Sequence, residues 1–77
     1  MASVEIEYCV PCGHRENALE TADAILAAHA DAVDSVDLVP GGGGIFEVRL
    51  DDEMILDTDE EGYDRDVVVD RIGDAVA

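Results

Sequence analysis

The sequence predicts an α/β protein in which two helices cover one face of a four-stranded mixed sheet. Short segments that alternate polar and apolar residues, the pattern of strands with one buried face, occur between two longer segments with helical periodicity. Their order along the chain is strand, helix, strand, strand, strand, helix. Every strand that alternates cleanly has one charged side, so both helices are expected on the other side. The expected architecture is a two-layer sandwich whose second sheet face is open and acidic.

The first three elements form one unit of the predicted sheet. Residues 3–8 alternate apolar and acidic side chains, and residues 32–39 return to the same period after an intervening helix over 14–30. A crossover of this kind is right-handed and joins parallel strands. The apolar residues of the helix define the side expected to face the sheet: Ala18, Leu19, Ala22, Ile25 and Leu26.

A hairpin follows the glycine-rich segment. Pro40 and the glycines at 41–44 are expected to end the second strand and to form a flexible, extended loop. Residues 45–50 alternate more regularly than any other segment, and the aspartates at 51–52 provide a tight turn into the strand at 53–57. These two strands are therefore predicted to be antiparallel.

The last element is a helix that Asp64 or Asp66 can cap. Three consecutive valines and Gly73 lower its intrinsic propensity, so packing must stabilise it. The residues expected to face inward are Val68, Ile72, Ala75 and Val76. With this helix, the order of elements is that of a minimal thioredoxin-like fold, β-α-β-β-β-α.

The length and apolar content predict one folded domain over residues 1–77. A chain of this size has a small core and buries about 60% of its unfolded surface. Because 48% of the residues are apolar and periodic, intrinsic disorder is disfavoured. No stretch approaches the roughly 20 apolar residues of a membrane span, and the amino terminus lacks the features of a signal peptide. A cytoplasmic protein without membrane partners is expected.

The charge balance argues against nucleic acid as a partner. The chain has 20 acidic residues, four arginines and no lysine, which gives a net charge of −16. Such a surface repels nucleic acid and needs screening salt to stay compact. The composition is similar to that of proteins from extreme halophiles, so a halophilic source is expected.

The candidate chemistry lies at Cys9-Val10-Pro11-Cys12, which contains both cysteines of the chain. A thiol at the start of a helix is near unpaired backbone N–H groups, which favour the thiolate. The spacing lets one sulfur attack a mixed disulfide formed by the other, so the pair can alternate between dithiol and disulfide. Such a pair closes too small a loop to be a structural staple. The spacing does not determine which sulfur attacks.

Three further residues are candidates for supporting this chemistry: His14, Pro11 and Phe46. His14 follows the cysteines closely enough to stabilise a thiolate or to donate a proton to a leaving thiol. The alternative interpretation is an exposed loop histidine. Phe46 belongs to the core, but its loop is expected near the end of the first strand. The glycine run lacks the lysine of a P-loop, so nucleotide binding is disfavoured.

A zinc site is the alternative to redox chemistry. Cys9, Cys12 and His14 are potential zinc ligands, and a closed structural site needs four. The fourth ligand would have to be the distant His29 or come from another subunit, which would make the protein a zinc-bridged or protein-binding module. The redox interpretation needs no cofactor.

Taken together, these segments resemble the selenoprotein W-like redoxin family, the Rdx family, which includes selenoproteins W, T and H. The resemblance rests on the strand at 4–8, the cysteine motif, and Gly44-Ile45-Phe46-Glu47-Val48 after the glycine-rich loop. It implies a thioredoxin-like fold, catalytic Cys9 and Cys12, and a cytosolic antioxidant role. The implied partners are low-molecular-weight thiols or protein thiols and disulfides. The protein itself is expected to be a monomer or a weak homodimer. The selenocysteine of that family matches Cys12, whereas thioredoxin-like proteins in general attack with the first cysteine.

Overall fold

The computed structural model describes residues 2–58 and 62–76, which form one four-stranded sheet and two helices. The strand order is β2-β1-β3-β4, with β1 parallel to β2 and antiparallel to β3, and with β3 antiparallel to β4. The predicted thioredoxin-like fold class is confirmed. The elements are β1 (Ala2–Cys9), α1 (Arg15–His29), β2 (Val33–Gly41), β3 (Phe46–Leu50), β4 (Glu53–Asp57) and α2 (Arg65–Val76).

The core lies between the sheet and the two helices. The alternation of β1 and β3 places their apolar side chains on the helix-facing side, as their periodicity predicts. The two helices contribute buried residues to the same cluster, so both cover one face of the sheet. The side chains at its centre have exposed fractions of 1% or less: Val4, Ile6, Ala18, Ile25, Val48, Leu56, Val68 and Ile72.

The open face of the sheet is held together around Arg49. Its guanidinium donates hydrogen bonds to Glu5 (2.9 Å), Glu7 (2.7 Å) and Glu47, from the same strand and its neighbour. The bonds to Glu5 and then Glu7 raise the pKa of Arg49 above its usual value. One cation thus compensates three carboxylates at the middle of the predicted acidic face.

Strand β2 is longer than the sequence predicts. It continues through Pro40 and Gly41, which pair with Tyr8 and Cys9 of β1, instead of ending at residue 39. A proline is tolerated here because β2 is an edge strand, and one side of its backbone has no partner strand. As a result, the sheet extends as far as the cysteine motif.

The buried side of α1 also differs from the prediction. Leu19 and Leu26, expected to face inward, have exposed fractions of 47% and 45%, whereas Thr21 is fully buried. Tyr63, just before α2, contacts Thr21, and α2 itself packs against α1, so this side is covered as well. Thr21 tolerates burial because its hydroxyl donates to the carbonyl of Asn17 (2.7 Å). In α2, Ala75 is likewise exposed, contrary to prediction.

The predicted hairpin turn and helix cap are both confirmed. Asp51 and Asp52 have φ angles of 48° and 72°, the left-handed conformation that a two-residue type I′ turn requires at both positions. Asp64 accepts hydrogen bonds from the backbone N–H groups of Asp66 (3.0 Å) and Val67 (3.3 Å), so it is the residue that caps α2. Within the described residues, neither helix is long and apolar enough to cross a membrane.

Candidate functional site

The two cysteines lie where β1 ends and α1 is about to begin, and their sulfurs form a disulfide. Cys9 is the last residue of β1, and its N–H donates to the carbonyl of Ile45 (2.7 Å). The next N–H, that of Val10, donates in the opposite direction to Gly41 (3.2 Å) on β2. The residue before β3 and the last residue of β2 therefore hold the backbone at Cys9 and Val10 from opposite sides.

A tight turn brings the second cysteine back over the first. Gly13 donates to the carbonyl of Val10 (3.2 Å), and His14 donates to that of Cys9 (3.3 Å). Gly13 has a φ angle of +78°, which glycine adopts without the steric cost of a side chain. These bonds place the Cα atoms of Cys9 and Cys12 5.4 Å apart, within the usual range for a disulfide.

The two sulfur-bearing residues differ in their exposure to solvent. Cys9 has an exposed fraction of only 1%, whereas Cys12 and Pro11 are exposed. A dissolved thiol can therefore approach Cys12 but not Cys9. The spacing of the motif contains no signal for this difference, because it depends on the strands that surround Cys9. Val10, at the middle of the motif, adds exposed apolar surface beside Cys12.

His14 is the N-cap residue of α1, but its side chain does not cap the helix. Its ring packs against Phe46 in an edge-to-face arrangement, with centroids 6.0 Å apart and an angle of 73° between the planes. The residue is half-buried, so the exposed loop histidine of the alternative interpretation is not what the structure has. Its Nδ1 atom is buried and has no hydrogen-bond partner within residues 2–58 and 62–76. Such an atom costs about 1–3 kcal/mol of stability.

Phe46 connects the cysteine turn to the interface between the helices. It is 2% exposed and packs edge-on against Tyr63, with centroids 5.2 Å apart. The Tyr63 hydroxyl lies 2.9 Å from the Thr21 hydroxyl and donates to the carbonyl of Asn17 (3.3 Å). Tyr63 was not among the predicted site residues. An aromatic residue directly after Gly62, in an otherwise acidic segment, is the signal that could have identified it.

The second histidine lies at the other end of α1, away from the cysteines. His29 donates from Nε2 to the carbonyl of Val69 (2.9 Å) in α2. With His29 engaged there, the four-ligand zinc set suggested by the sequence is not brought together. Across the described parts of the chain, no three His, Cys, Asp or Glu side chains are grouped so that they could hold a metal ion.

Comparisons with known proteins agree with this architecture. The model of the Rdx family matches residues 3–74. The crystal structure of a selenoprotein W-related protein from Vibrio cholerae superposes with a TM-score of 0.93 at 26% identity, covering 99% of this chain and 98% of that one. A crystal structure of a protein from Bordetella parapertussis gives a TM-score of 0.90 at 26% identity, covering 96% of both chains.

A curated protein that is longer than this chain also matches it in sequence. Migration and invasion enhancer 1 of Bos taurus is 28% identical over an alignment 68 residues long, which covers 84% of this chain. The chain spans 57% of the length of that relative. The match to the Rdx family model, which spans residues 3–74, includes the segment that contains the cysteine turn.

Proposed function

Because the chain belongs to the Rdx family, we propose that it is a thiol-disulfide oxidoreductase in which Cys9 and Cys12 form a two-electron redox pair. The observation that carries the proposal is the pairing of an exposed and a buried cysteine residue in a single disulfide just before a helix. This arrangement gives the two cysteines different tasks. Cys12 exchanges with partners, and Cys9 closes or opens the internal bond.

Reduction of the protein begins with a partner thiolate, which attacks the Cys12 sulfur. The bond between Cys12 and Cys9 breaks, Cys9 leaves with the electron pair and takes up a proton, and Cys12 is left in a mixed disulfide. A second partner thiolate then attacks the partner's sulfur and releases Cys12. Two thiols are thereby oxidised to one disulfide, and their two electrons remain on the protein as a dithiol.

The reverse sequence oxidises the protein and reduces a partner disulfide. Cys12 attacks as the thiolate, which the nearby start of α1 favours, and one partner sulfur leaves. Cys9 then attacks the Cys12 sulfur of the mixed disulfide and releases the second partner sulfur as a thiolate. The order agrees with the resemblance, in which the selenocysteine position matches Cys12. The reaction requires only thiols and disulfides and no cofactor.

Low-molecular-weight thiols and the thiols or disulfides of other proteins are the proposed partners, and the cytoplasm is the proposed compartment. The net charge of −16 disfavours strongly anionic partners at low ionic strength. Measurements on the protein should therefore be made in high salt, where repulsion between carboxylates is screened.

A redox titration tests the proposal. The purified protein is equilibrated in high salt with a series of reduced and oxidised glutathione buffers, alkylated, and analysed by mass spectrometry. We expect one reversible two-electron transition that links Cys9 to Cys12. Thiols that stay reduced and unreactive until a chelator is added would contradict the proposal and favour the zinc interpretation.

The roles of the two cysteines are tested with the matched variants Cys9→Ser and Cys12→Ser, both reduced and treated with glutathione disulfide. Because only Cys12 is exposed, Cys9→Ser should form a stable glutathione adduct at Cys12. Cys12→Ser should react at least about tenfold more slowly, which corresponds to about 1.4 kcal/mol of activation free energy. The two variants should react at similar rates in denaturant. Equal rates in the folded proteins would show that Cys9 is accessible and that the assigned order is wrong.

A further inference from the structure

His14 has a ring nitrogen whose environment the oxidised protein leaves incomplete. Nδ1 is buried and forms no hydrogen bond with any described residue, including the two sulfurs. The ring packs on Phe46, and the backbone N–H of His14 donates to the carbonyl of Cys9, so the residue is held within the cysteine turn. A buried polar atom without a partner is unfavourable, so a state of the protein that supplies a partner is stabilised.

Opening of the disulfide creates a polar group inside the same turn. Cys9 is 1% exposed, so the thiol or thiolate that it becomes has little access to water. A buried thiolate is costly unless a hydrogen-bond donor faces it, and a buried thiol must lose its proton before it can attack. Nδ1 of an imidazole serves as either a donor or an acceptor, depending on the tautomer.

We propose that Nδ1 of His14 is the hydrogen-bond partner and proton acceptor of Cys9 in the reduced protein. This inference rests on the proposed oxidoreductase function. When the disulfide opens, the imidazole donates a hydrogen bond and then a proton to the leaving Cys9 thiolate, and it recovers the proton from solvent. When the disulfide closes, Nδ1 takes the proton from the Cys9 thiol. The resulting thiolate attacks the Cys12 sulfur of the mixed disulfide and expels the partner thiolate.

The reaction with dithiodipyridine, an uncharged aromatic disulfide, separates the two sulfurs in one measurement. When the reduced protein is mixed with it, attack by Cys12 releases one coloured thiopyridone and leaves a mixed disulfide. Attack by Cys9 then releases a second one. The rapid phase reports on Cys12, and the concentration-independent phase reports on Cys9.

The matched variants are His14→Phe, which keeps an aromatic ring against Phe46 without its nitrogens, and His14→Asn, which keeps polar atoms near the position of Nδ1. We expect His14→Phe to slow the second phase about tenfold or more, with the first phase unchanged within about twofold. His14→Asn should recover part of the second-phase rate. The oxidised form of His14→Phe should unfold at or above the wild-type temperature, because it lacks the unpaired nitrogen.

The possible outcomes distinguish this inference from the proposed function. A second phase that is unchanged in His14→Phe, or two phases slowed equally, would overturn the role of His14 and leave the oxidoreductase intact. A wild-type protein that releases no second thiopyridone and forms no internal disulfide would instead overturn the proposed function.

A measurement on the wild-type protein keeps the inference testable if His14→Phe does not fold. Nitrogen NMR of the His14 ring should show a change in the Nδ1 chemical shift when the wild-type disulfide is reduced. The same comparison at His29, whose Nε2 is already bonded to Val69, should show no change. An Nδ1 shift that is identical in both redox states would overturn the proposal.

Discussion

The two ends of helix α1 each place a histidine against another element, but with opposite outcomes for its nitrogens. At one end, the ring of His14 packs on Phe46 and its buried Nδ1 has no partner in the described chain. At the other end, Nε2 of His29 donates to the carbonyl of Val69 in α2. We call these regions the site end (Cys9 to His14 with Phe46) and the clamp end (His29, Val69 and Gly73). The comparison shows that packing alone does not give a histidine a hydrogen-bond partner: Nε2 of His29 has one, whereas Nδ1 of His14 has none among the described residues.

Gly73 explains how the clamp end closes. A Cβ atom at this position would lie 2.9 Å from Cε1 and 3.2 Å from Nε2 of His29. The glycine that weakens α2 as an isolated helix is therefore what lets the imidazole reach the backbone of that helix. The site end contains the opposite arrangement, because the bulky Phe46 holds the ring of His14 without offering it a hydrogen bond.

Among the substitutions that test this comparison, Phe46→Leu should have the largest effect on the free energy of unfolding. It removes the ring contacts with both His14 and Tyr63, so we expect the free energy of unfolding to fall by about 2–3 kcal/mol. Urea unfolding in high salt measures this change. The rate at which Cys9 closes the mixed disulfide should also fall, since the His14 ring is no longer held.

Val48→Ala is the matched control for Phe46→Leu, because it opens a cavity in the same strand without touching the aromatic contacts. It should destabilise the protein by a similar amount, about 2–3 kcal/mol, but leave the closing rate of Cys9 unchanged. If both variants slowed the closing step equally, general loosening of the core would account for the effect, and the special position of His14 would be refuted.

An intermediate effect is expected at the clamp end from Gly73→Ala. Helix propensity alone should make the alanine favourable by about 1 kcal/mol. In this protein the added Cβ displaces the ring of His29 and its bond to Val69, so we expect a net loss of about 1–2 kcal/mol in the free energy of unfolding.

A double-mutant cycle makes this prediction specific. In a His29→Ala background the added Cβ no longer meets an imidazole ring. The effect of Gly73→Ala on the free energy of unfolding should then reverse, and the substitution should stabilise the protein by up to about 1 kcal/mol. Thermal or urea unfolding of the four proteins measures the coupling. An equal loss in both backgrounds would mean that His29 is not the reason for the glycine. None of these variants should alter the reactivity of the cysteines.

The smallest effect is expected from Tyr63→Phe, in the region between the two ends. It removes only the hydroxyl that contacts Thr21 and Asn17, so unfolding should become easier by about 1 kcal/mol. Tyr8→Phe is the control, since the Tyr8 hydroxyl makes no hydrogen bond that the structure of residues 2–58 and 62–76 records. Equal losses in the two variants would show that the Tyr63 bonds do not contribute.

Much of the fold could be predicted from the sequence, because the information is local. The alternation in β1 and β3, the paired aspartates of the turn and the cap at Asp64 all depend on a few consecutive residues and the backbone conformations that they favour. The end of β2 was predicted wrongly because a proline and glycines usually break a strand. Strand β2 tolerates the proline because it lies at the edge of the sheet, and its position in the sheet is not a local property of the sequence.

By itself, therefore, the sequence determined the type and order of the elements and the spacing of two cysteines at a strand-to-helix junction. Only the tertiary structure decided which side of α1 is buried, with Thr21 inside and Leu19 exposed. It also decided that Cys9 is covered while Cys12 is accessible, and that His29 is paired while Nδ1 of His14 is not. The reason is physical: burial and hydrogen-bond satisfaction depend on atoms from elements distant in the chain, whereas periodicity depends on neighbours.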